Sequence, residues 1–480
     1  MIPLWLNIIL LIFAFNIIIV VLMQQRRPTE TLAWILVLIF LPLVGILLYY
    51  LFGVPAMNRS LISPERLQQL KAYTLPYRTE GCEHHSRVIS LLERVNQAYP
   101  SNGNSLSIYT RFADMFADLK RDILSARHHI HIEFFMIESD PVGDEVADLL
   151  IRKAAEGVEV RLMYDAAACW RVPGSFYRRM QQGGVKVEAF SPIFPHLSPF
   201  SNYRNHRKVV CIDGLVGYTG GMNLAERYLK GIRGGVWRDT HIRIQGPAVT
   251  ELQTTFLTDW QFAGDEWVCG DAYYPSNLSN PSNPSNSSNP SSPSLPSNLL
   301  MQVVTSNPTD RWRVMDLSIS QLLYSARSYI YLQSPYLVPS EAIRKSLFAA
   351  ALAGVDVRIM LPEKPDKSWI VIFATRWYVE QMLTAGVRIF FYTGGYLHAK
   401  TIVTDDLITT IGSVNIDNRS LSQSFEVTDF IYDADVARRQ RQIFFDDMRQ
   451  CHEILLTSWR RRPWWDRLRE SLCRLLAPIL

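Results

Sequence analysis

The pattern His-x-Lys-x-x-x-x-Asp occurs twice in this chain, and no other feature constrains the fold as strongly. The first copy is His206, Lys208 and Asp213; the second is His398, Lys400 and Asp405. Each is followed by a glycine-rich turn and an asparagine: Gly220, Gly221 and Asn223, then Gly412, Ser413 and Asn415. The offset is constant, since 398 − 206, 400 − 208 and 415 − 223 all give 192. A long repeat of this kind predicts two like-folded halves whose motifs meet at one seam.

The residue types suit phosphodiester chemistry. An anionic diester needs a nucleophile, a proton for the leaving alkoxide and positive charge around the phosphoryl oxygens. Imidazole titrates near neutrality and serves for the first two tasks. One of His206 and His398 can attack phosphorus while the other exchanges the proton. Lys208 and Lys400 supply charge, and Asn223 and Asn415 supply neutral donors. His and Lys two apart on a strand point to one face. Each imidazole also needs an acid on its second nitrogen. Asp239, in Trp237-Arg238-Asp239-Thr240-His241, and Glu426, 28 residues after His398, are the candidates for that role. Asp213 and Asp405 then read as supports of the turn that follows each motif.

Shorter echoes flank the motifs. Ser125-Ala126-Arg127 parallels Ser325-Ala326-Arg327, and Ala155-Glu156-Gly157-Val158 parallels Leu352-Ala353-Gly354-Val355. Gly184-Val185-Lys186-Val187 parallels Gly386-Val387-Arg388-Ile389. Helices that end at glycine and lead into alternating strands predict an α/β fold with crossover connections. The expected organisation is a hairpin over 1–55, a connecting segment over 56–105 and a first half over 106–274. A linker over 275–298 built of Ser, Asn and Pro cannot bury a core. A second half over 299–457 and a tail over 458–480 follow.

The ends of the chain point to a bilayer. Leu4 to Met23 and Leu32 to Phe52 are apolar runs without charge, separated by Gln24-Gln25-Arg26-Arg27-Pro28-Thr29-Glu30. Each run is long enough to cross ~30 Å of hydrocarbon as a helix. No basic residue precedes the first, so a cleaved signal peptide fits badly. Two arginines in the loop against Arg59, Arg66 and Lys71 beyond it favour a cytoplasmic catalytic region in a multi-pass inner-membrane protein. The tail Trp459-Arg460-Arg461-Arg462-Pro463-Trp464-Trp465 suits a helix in an anionic headgroup layer. The formal charge of +4 is too mild for a nucleic-acid channel. Six scattered cysteines contain no CxxC pair, so they read as reduced and structural. Cys82, His84 and His85 lie together, but no second ligand pair completes a metal site.

The doubled motif with its asparagine turn resembles the phospholipase D superfamily. Arg27-Pro28 before Thr31-Leu32-Ala33-Trp34, Tyr218-Thr219-Gly220-Gly221-Met222-Asn223 and Ser413-Val414-Asn415-Ile416-Asp417-Asn418-Arg419-Ser420 are similar to its bacterial cardiolipin synthases. The resemblance covers essentially the whole chain. It implies two phospholipase D-like α/β halves related by a pseudo-twofold, preceded by a two-helix transmembrane hairpin. It implies no cofactor and no metal. It also implies transfer of a phosphatidyl group from one phosphatidylglycerol to another, with glycerol released and phosphohistidine as intermediate. The catalytic residues carried over are His206, Lys208, Asp213, His398, Lys400 and Asp405. Asn223, Asn415, Ser413, Asp239 and Glu426 support them, with His206 as nucleophile and His398 as acid/base. The chain departs from the family pattern at Asp165-Ala166-Ala167-Ala168-Cys169, at Thr305-Ser306-Asn307-Pro308-Thr309-Asp310 and at Ser424-Phe425-Glu426. These flank the expected pocket and bear on headgroup preference. A membrane phospholipase D that hydrolyses to phosphatidic acid shares every catalytic residue. A nuclease and a non-enzymatic scaffold fit the hairpin and the doubled motif less well.

Overall fold

The computed structural model describes residues 4–24, 28–54, 61–79, 86–191, 203–232, 235–264, 266–275, 298–364 and 369–475. The first half contributes β1 (Ser101–Tyr109), β2 (His129–Phe134), β3 (Glu159–Asp165), β4 (Lys186–Phe190), β5 (Arg204–Asn205), β6 (Lys208–Ile212), β7 (Val216–Gly220), β8 (Val236–Arg238) and β9 (His241–Gln245). The second contributes β10 (Leu299–Ser306), β11 (Tyr329–Gln333), β12 (Asp356–Pro362), β13 (Arg388–Tyr392), β14 (Gly395–Leu397), β15 (Thr401–Thr404), β16 (Ile408–Gly412), β17 (Ser424–Ile431) and β18 (Cys451–Ile454).

The two halves share one continuous sheet. Its order is β18-β13-β12-β11-β15-β16-β17-β10-β1-β9-β7-β6-β2-β3-β4, with β5 paired to β17. The antiparallel pair β1–β10 joins the halves. Each half has three parallel strands (β2-β3-β4 and β11-β12-β13) and antiparallel central ones, and β18 adds antiparallel to β13 at the edge of the second half. Parallel neighbours need crossovers, and helices supply them. The crossover helix Pro141–Ala155 starts at Asp140, whose carboxylate accepts from the amides of Val142 and Gly143 at 3.0 Å each. Its counterpart Glu341–Leu352 starts at Ser340, which accepts from Ile343 N at 3.1 Å. Both stop at a glycine in the left-handed region, Gly157 (φ 90°) and Gly354 (φ 91°). β6, β15, β16 and β17 are buried along their whole length, because helices cover both faces of the sheet.

Two short strands exchange between halves. β5 runs parallel to the start of β17, with Phe425 opposite Asn205. β14 runs parallel to β8, with Leu397 opposite Arg238. The chain just before each His-x-Lys therefore lies on the other half.

The hairpin differs from its expected form. The first helix runs Leu4–Met23. The second apolar run is divided into helices Pro28–Phe40 and Pro42–Leu48 and a π turn, Tyr49–Gly53, so the single span from Leu32 to Phe52 is corrected. Pro42 has no amide hydrogen to continue the ladder, and the helix restarts there. Val21, Leu38 and Tyr49 are buried between the helices. Asn16 and Gln24 are satisfied locally, by Ile12 O at 2.8 Å and the Tyr49 hydroxyl at 3.0 Å. The other face leaves Phe13 at 58%, Phe15 at 62%, Leu22 at 59% and Phe40 at 75% exposure. Among the described residues no helix is long and apolar enough to cross a membrane.

The tail forms helices Leu456–Arg460 and Trp464–Arg474, docked on the helix Trp369–Thr384. Trp459, Glu470 and Cys473 face inward, and Arg462 lies 3.6 Å over the Trp459 ring. Residues 276–297 of the Ser/Asn/Pro linker lie outside the described residues. So do Arg26, Arg27, Arg59, Cys82, His84 and His85.

Candidate active site

His206 precedes β6, which Lys208 opens, and His398 and Lys400 precede β15. The His206 amide donates to Phe425 O at 2.9 Å, and the His398 amide donates to Arg238 O at 2.7 Å. The residue after each acceptor is an acid, so the strand exchange fixes each histidine beside the other half's carboxylate. His206 Nδ1 is 3.0 Å from Glu426 Oε2, and His398 Nδ1 is 2.6 Å from Asp239 Oδ2. Both carboxylates are fully buried. Ser413 Oγ donates to Glu426 Oε2 and accepts from Val427 N at 3.0 Å. Carboxylates on Nδ1 leave Nε2 as the nitrogen turned to chemistry.

Lys208 Nζ donates to His206 O at 2.6 Å, and Lys400 Nζ lies 2.8 Å from His398 Nδ1 and 3.9 Å from Asp239. Burial pushes Lys208 down to about 7, aided by the charge of Lys400, and pushes Lys400 down to about 8. Burial, then Lys400, holds His398 at about 3, and burial lowers His206. Burial raises Asp239 and Glu426, but the lysine and histidine charges outweigh it and keep both below the usual carboxylate range. Two buried lysines beside two imidazoles favour a bound anion.

A cavity of about 500 Å³ opens on this seam. His206, His398, Asn223 and Asn415 line it together. Asn223 Nδ2 donates to the Tyr228 hydroxyl at 2.8 Å. Asn415 Oδ1 is buried and makes no hydrogen bond. Around His398 stand Trp237 at 5.4 Å and Tyr396 at 5.8 Å, ring centre to ring centre. Phe135 meets the His206 ring edge-on at 4.9 Å.

The motif aspartates do not join the cavity, which corrects their place in the catalytic set. Asp213 accepts from the amides of Arg127, His128 and His129 at 2.8, 2.8 and 2.9 Å. Asp405 accepts from Arg327, Ser328 and Tyr329 at 2.7, 2.8 and 2.9 Å. Both lie at positive φ, 54° and 57°, in the tight turns after β6 and β15. Seven residues separate each carboxylate from its histidine, on the order of 20 Å along an extended chain. Sequence reasoning passed over Asp417, Arg419, Tyr228 and Arg204, which line the cavity. The run Asn415-Ile416-Asp417-Asn418-Arg419, polar at every second position, was the signal for two of them. Burial pushes Asp417 up to about 6.

A family profile described as "Cardiolipin synthase, PLD-like domain" matches residues 119–260 and 319–448, and another, "Phospholipase_D-nuclease N-terminal", matches residues 5–53. The cardiolipin synthase of Oceanobacillus iheyensis is 35% identical over 488 residues, covering 98% of each chain. The chain belongs to the cardiolipin synthase family of the phospholipase D superfamily. The major cardiolipin synthase ClsA of Bacillus subtilis is 35% identical with 98% of each chain covered. A Staphylococcus aureus cardiolipin synthase is 36% identical, covering 98% of this chain and 94% of the relative. Among solved structures, phosphatidylserine synthase of Haemophilus influenzae superposes with a TM-score of 0.60 at 12% identity. It covers 82% of this chain and all of its own, and it shows the fold. As a cardiolipin synthase family member, the chain is a phosphatidyltransferase.

Proposed function

We propose that the seam joins two phosphatidylglycerols into cardiolipin and releases glycerol through a phosphohistidine. The observation that carries this reading is the pair of imidazoles in one cavity, each held at Nδ1 by a buried carboxylate. His206 Nε2 attacks phosphorus, the P–N bond forms and the P–O bond to glycerol breaks. His398 gives the departing oxygen its proton. The hydroxyl of a second phosphatidylglycerol then returns a proton to His398 and displaces the histidine, remaking a P–O bond. Lys208, Lys400, Asn223 and Asn415 hold the phosphoryl oxygens. The bound diester's charge offsets the burial that keeps both imidazoles neutral. Trp237, Tyr396 and Tyr228 wall His398, which favours a lipid alcohol over water.

The hairpin inserts in the cell membrane in this reading, and the Trp/Arg tail rests on its headgroups with the catalytic region cytoplasmic. Support comes from the exposed apolar face of the hairpin and from Trp464, Trp465, Leu468 and Leu472, all exposed beside Arg467 and Arg469.

Purified protein in detergent with phosphatidylglycerol alone should yield cardiolipin and glycerol in equal amounts. Phosphatidic acid as the main product would sink the transferase reading. His206→Ala and His398→Ala should each lower turnover by at least ~10³-fold. Rapid quenching of the wild-type protein during turnover should recover the phosphatidyl group on His206, and His206→Ala should recover none.

A further inference from the structure

Two exposed tryptophans lie within two residues in sequence of residues that line the cavity, one in each half. After β3 the chain passes Ala167 and Ala168, which line the cavity, and reaches Trp170, 71% exposed. After β12 it reaches Trp369, 61% exposed, two residues before the cavity-lining Val371. β3 and β12 occupy equivalent places in the two halves, each the middle of its three parallel strands. The tryptophans therefore follow equivalent strands of the two halves, each close in sequence to cavity-lining residues. Neither is used by the chemistry.

Three further features lie on the elements that carry these tryptophans or next to cavity-lining residues. The Arg171 guanidinium lies 4.7 Å over the Trp170 ring, holding a cation beside an amphipathic one. The helix that begins at Trp369 carries the docked tail, whose exposed Trp464, Trp465 and Leu468 alternate with Arg467 and Arg469. The end of the hairpin is tied to the same region, because the Tyr203 hydroxyl donates to Val54 O at 2.9 Å and Arg204 lines the cavity. Aromatic rings beside arginines are the composition of a surface that lies in an anionic headgroup layer.

We propose that Trp170 and Trp369 seat the rim of the cavity in the surface of an anionic bilayer, so that the mouth opens directly onto the lipid headgroups. This rests on the lipid-transfer reading of the site. The geometry removes a step: a phosphatidyl group reaches the histidines with its acyl chains still in the bilayer. The leaving glycerol departs toward water, and the second lipid enters through the same mouth.

The test uses the full chain reconstituted in nanodiscs of phosphatidylglycerol and phosphatidylcholine, part of it brominated in the acyl chains. Trp170→Phe and Trp369→Phe should each remove a share of the quenchable tryptophan fluorescence. Trp260→Phe, at a fully buried site, should remove none. A quenchable fraction unchanged in both rim variants would overturn the proposal and leave a protein as the occupant of that surface. In kinetics, the double variant Trp170→Ser/Trp369→Ser should turn over bilayer phosphatidylglycerol roughly tenfold more slowly. It should act on short-chain, monomeric phosphatidylglycerol at the wild-type rate. Equal losses on both substrates, or no loss on either, would also overturn it. Quenching does not depend on turnover, so a wild-type protein that makes no cardiolipin would count against the transfer reading alone.

Discussion

Gly221 stands where the second half has Ser413, and the difference follows the acid each must admit. A Cβ on Gly221 would meet both carboxylate oxygens of Asp239. Ser413 instead reaches Glu426 with its hydroxyl, and the longer acid leaves room for it. Gly221→Ala should displace Asp239 from His398 and cut turnover roughly 10–100-fold, the usual cost of losing a ring-orienting partner. Steady-state rates on phosphatidylglycerol check this, and an unchanged rate would contradict the role given to Asp239. Lys208 offers a second measurement. Burial and Lys400 place it at about 7, and a bound dianion stabilises its protonated form. Above that pH, binding must take up a proton. Inhibition by sulfate, whose own charge is constant, should therefore weaken by roughly tenfold per pH unit as pH rises beyond 7. An inhibition constant flat from pH 6.5 to 9 would refute it.

At the scale of elements, the turns and the exchanged strands divide the labour. Asp213 and Asp405 each gather three amides at the start of a neighbouring strand, so Asp213→Ala should cost about 2 kcal/mol of stability. Chemical denaturation measures that loss, and turnover per folded molecule should persist. Arg207, between His206 and Lys208, turns to the other face of the sheet. It pairs with buried Asp259 and donates to Glu426 O at 3.1 Å and Ser306 O at 2.9 Å. Its counterpart in the second half is Ala399. Arg207→Ala strands a buried carboxylate and should cost about 3–5 kcal/mol. The helix stops at Gly157 and Gly354 and the strands after them were legible in the sequence, because local punctuation specifies them. The candidate acids were legible too, from their place after each motif. Which histidine each would face was not, since β5–β17 and β8–β14 pair residues about 220 and 159 apart. The break at Pro42 lay in plain view but was hidden by the unbroken hydropathy around it.

Across the whole molecule, one sheet runs unbroken through two copies of a fold, and the catalytic cavity lies at their junction. Because each acid comes from the opposite half, fragments 1–275 and 298–480 produced separately should be inert. Produced together, they should recover cardiolipin formation if the β1–β10 junction can reassemble, and activity in either fragment alone would contradict the crossed arrangement. That crossing also bears on descent. Two equal copies of an ancestral unit are ordinarily free to drift apart, one keeping the old task while the other acquires a new one. Here a change at Asp239 is felt by the histidine of the later copy, and a change at Glu426 by that of the earlier. Each copy holds the other's heirloom, and neither can be spent without impoverishing its twin.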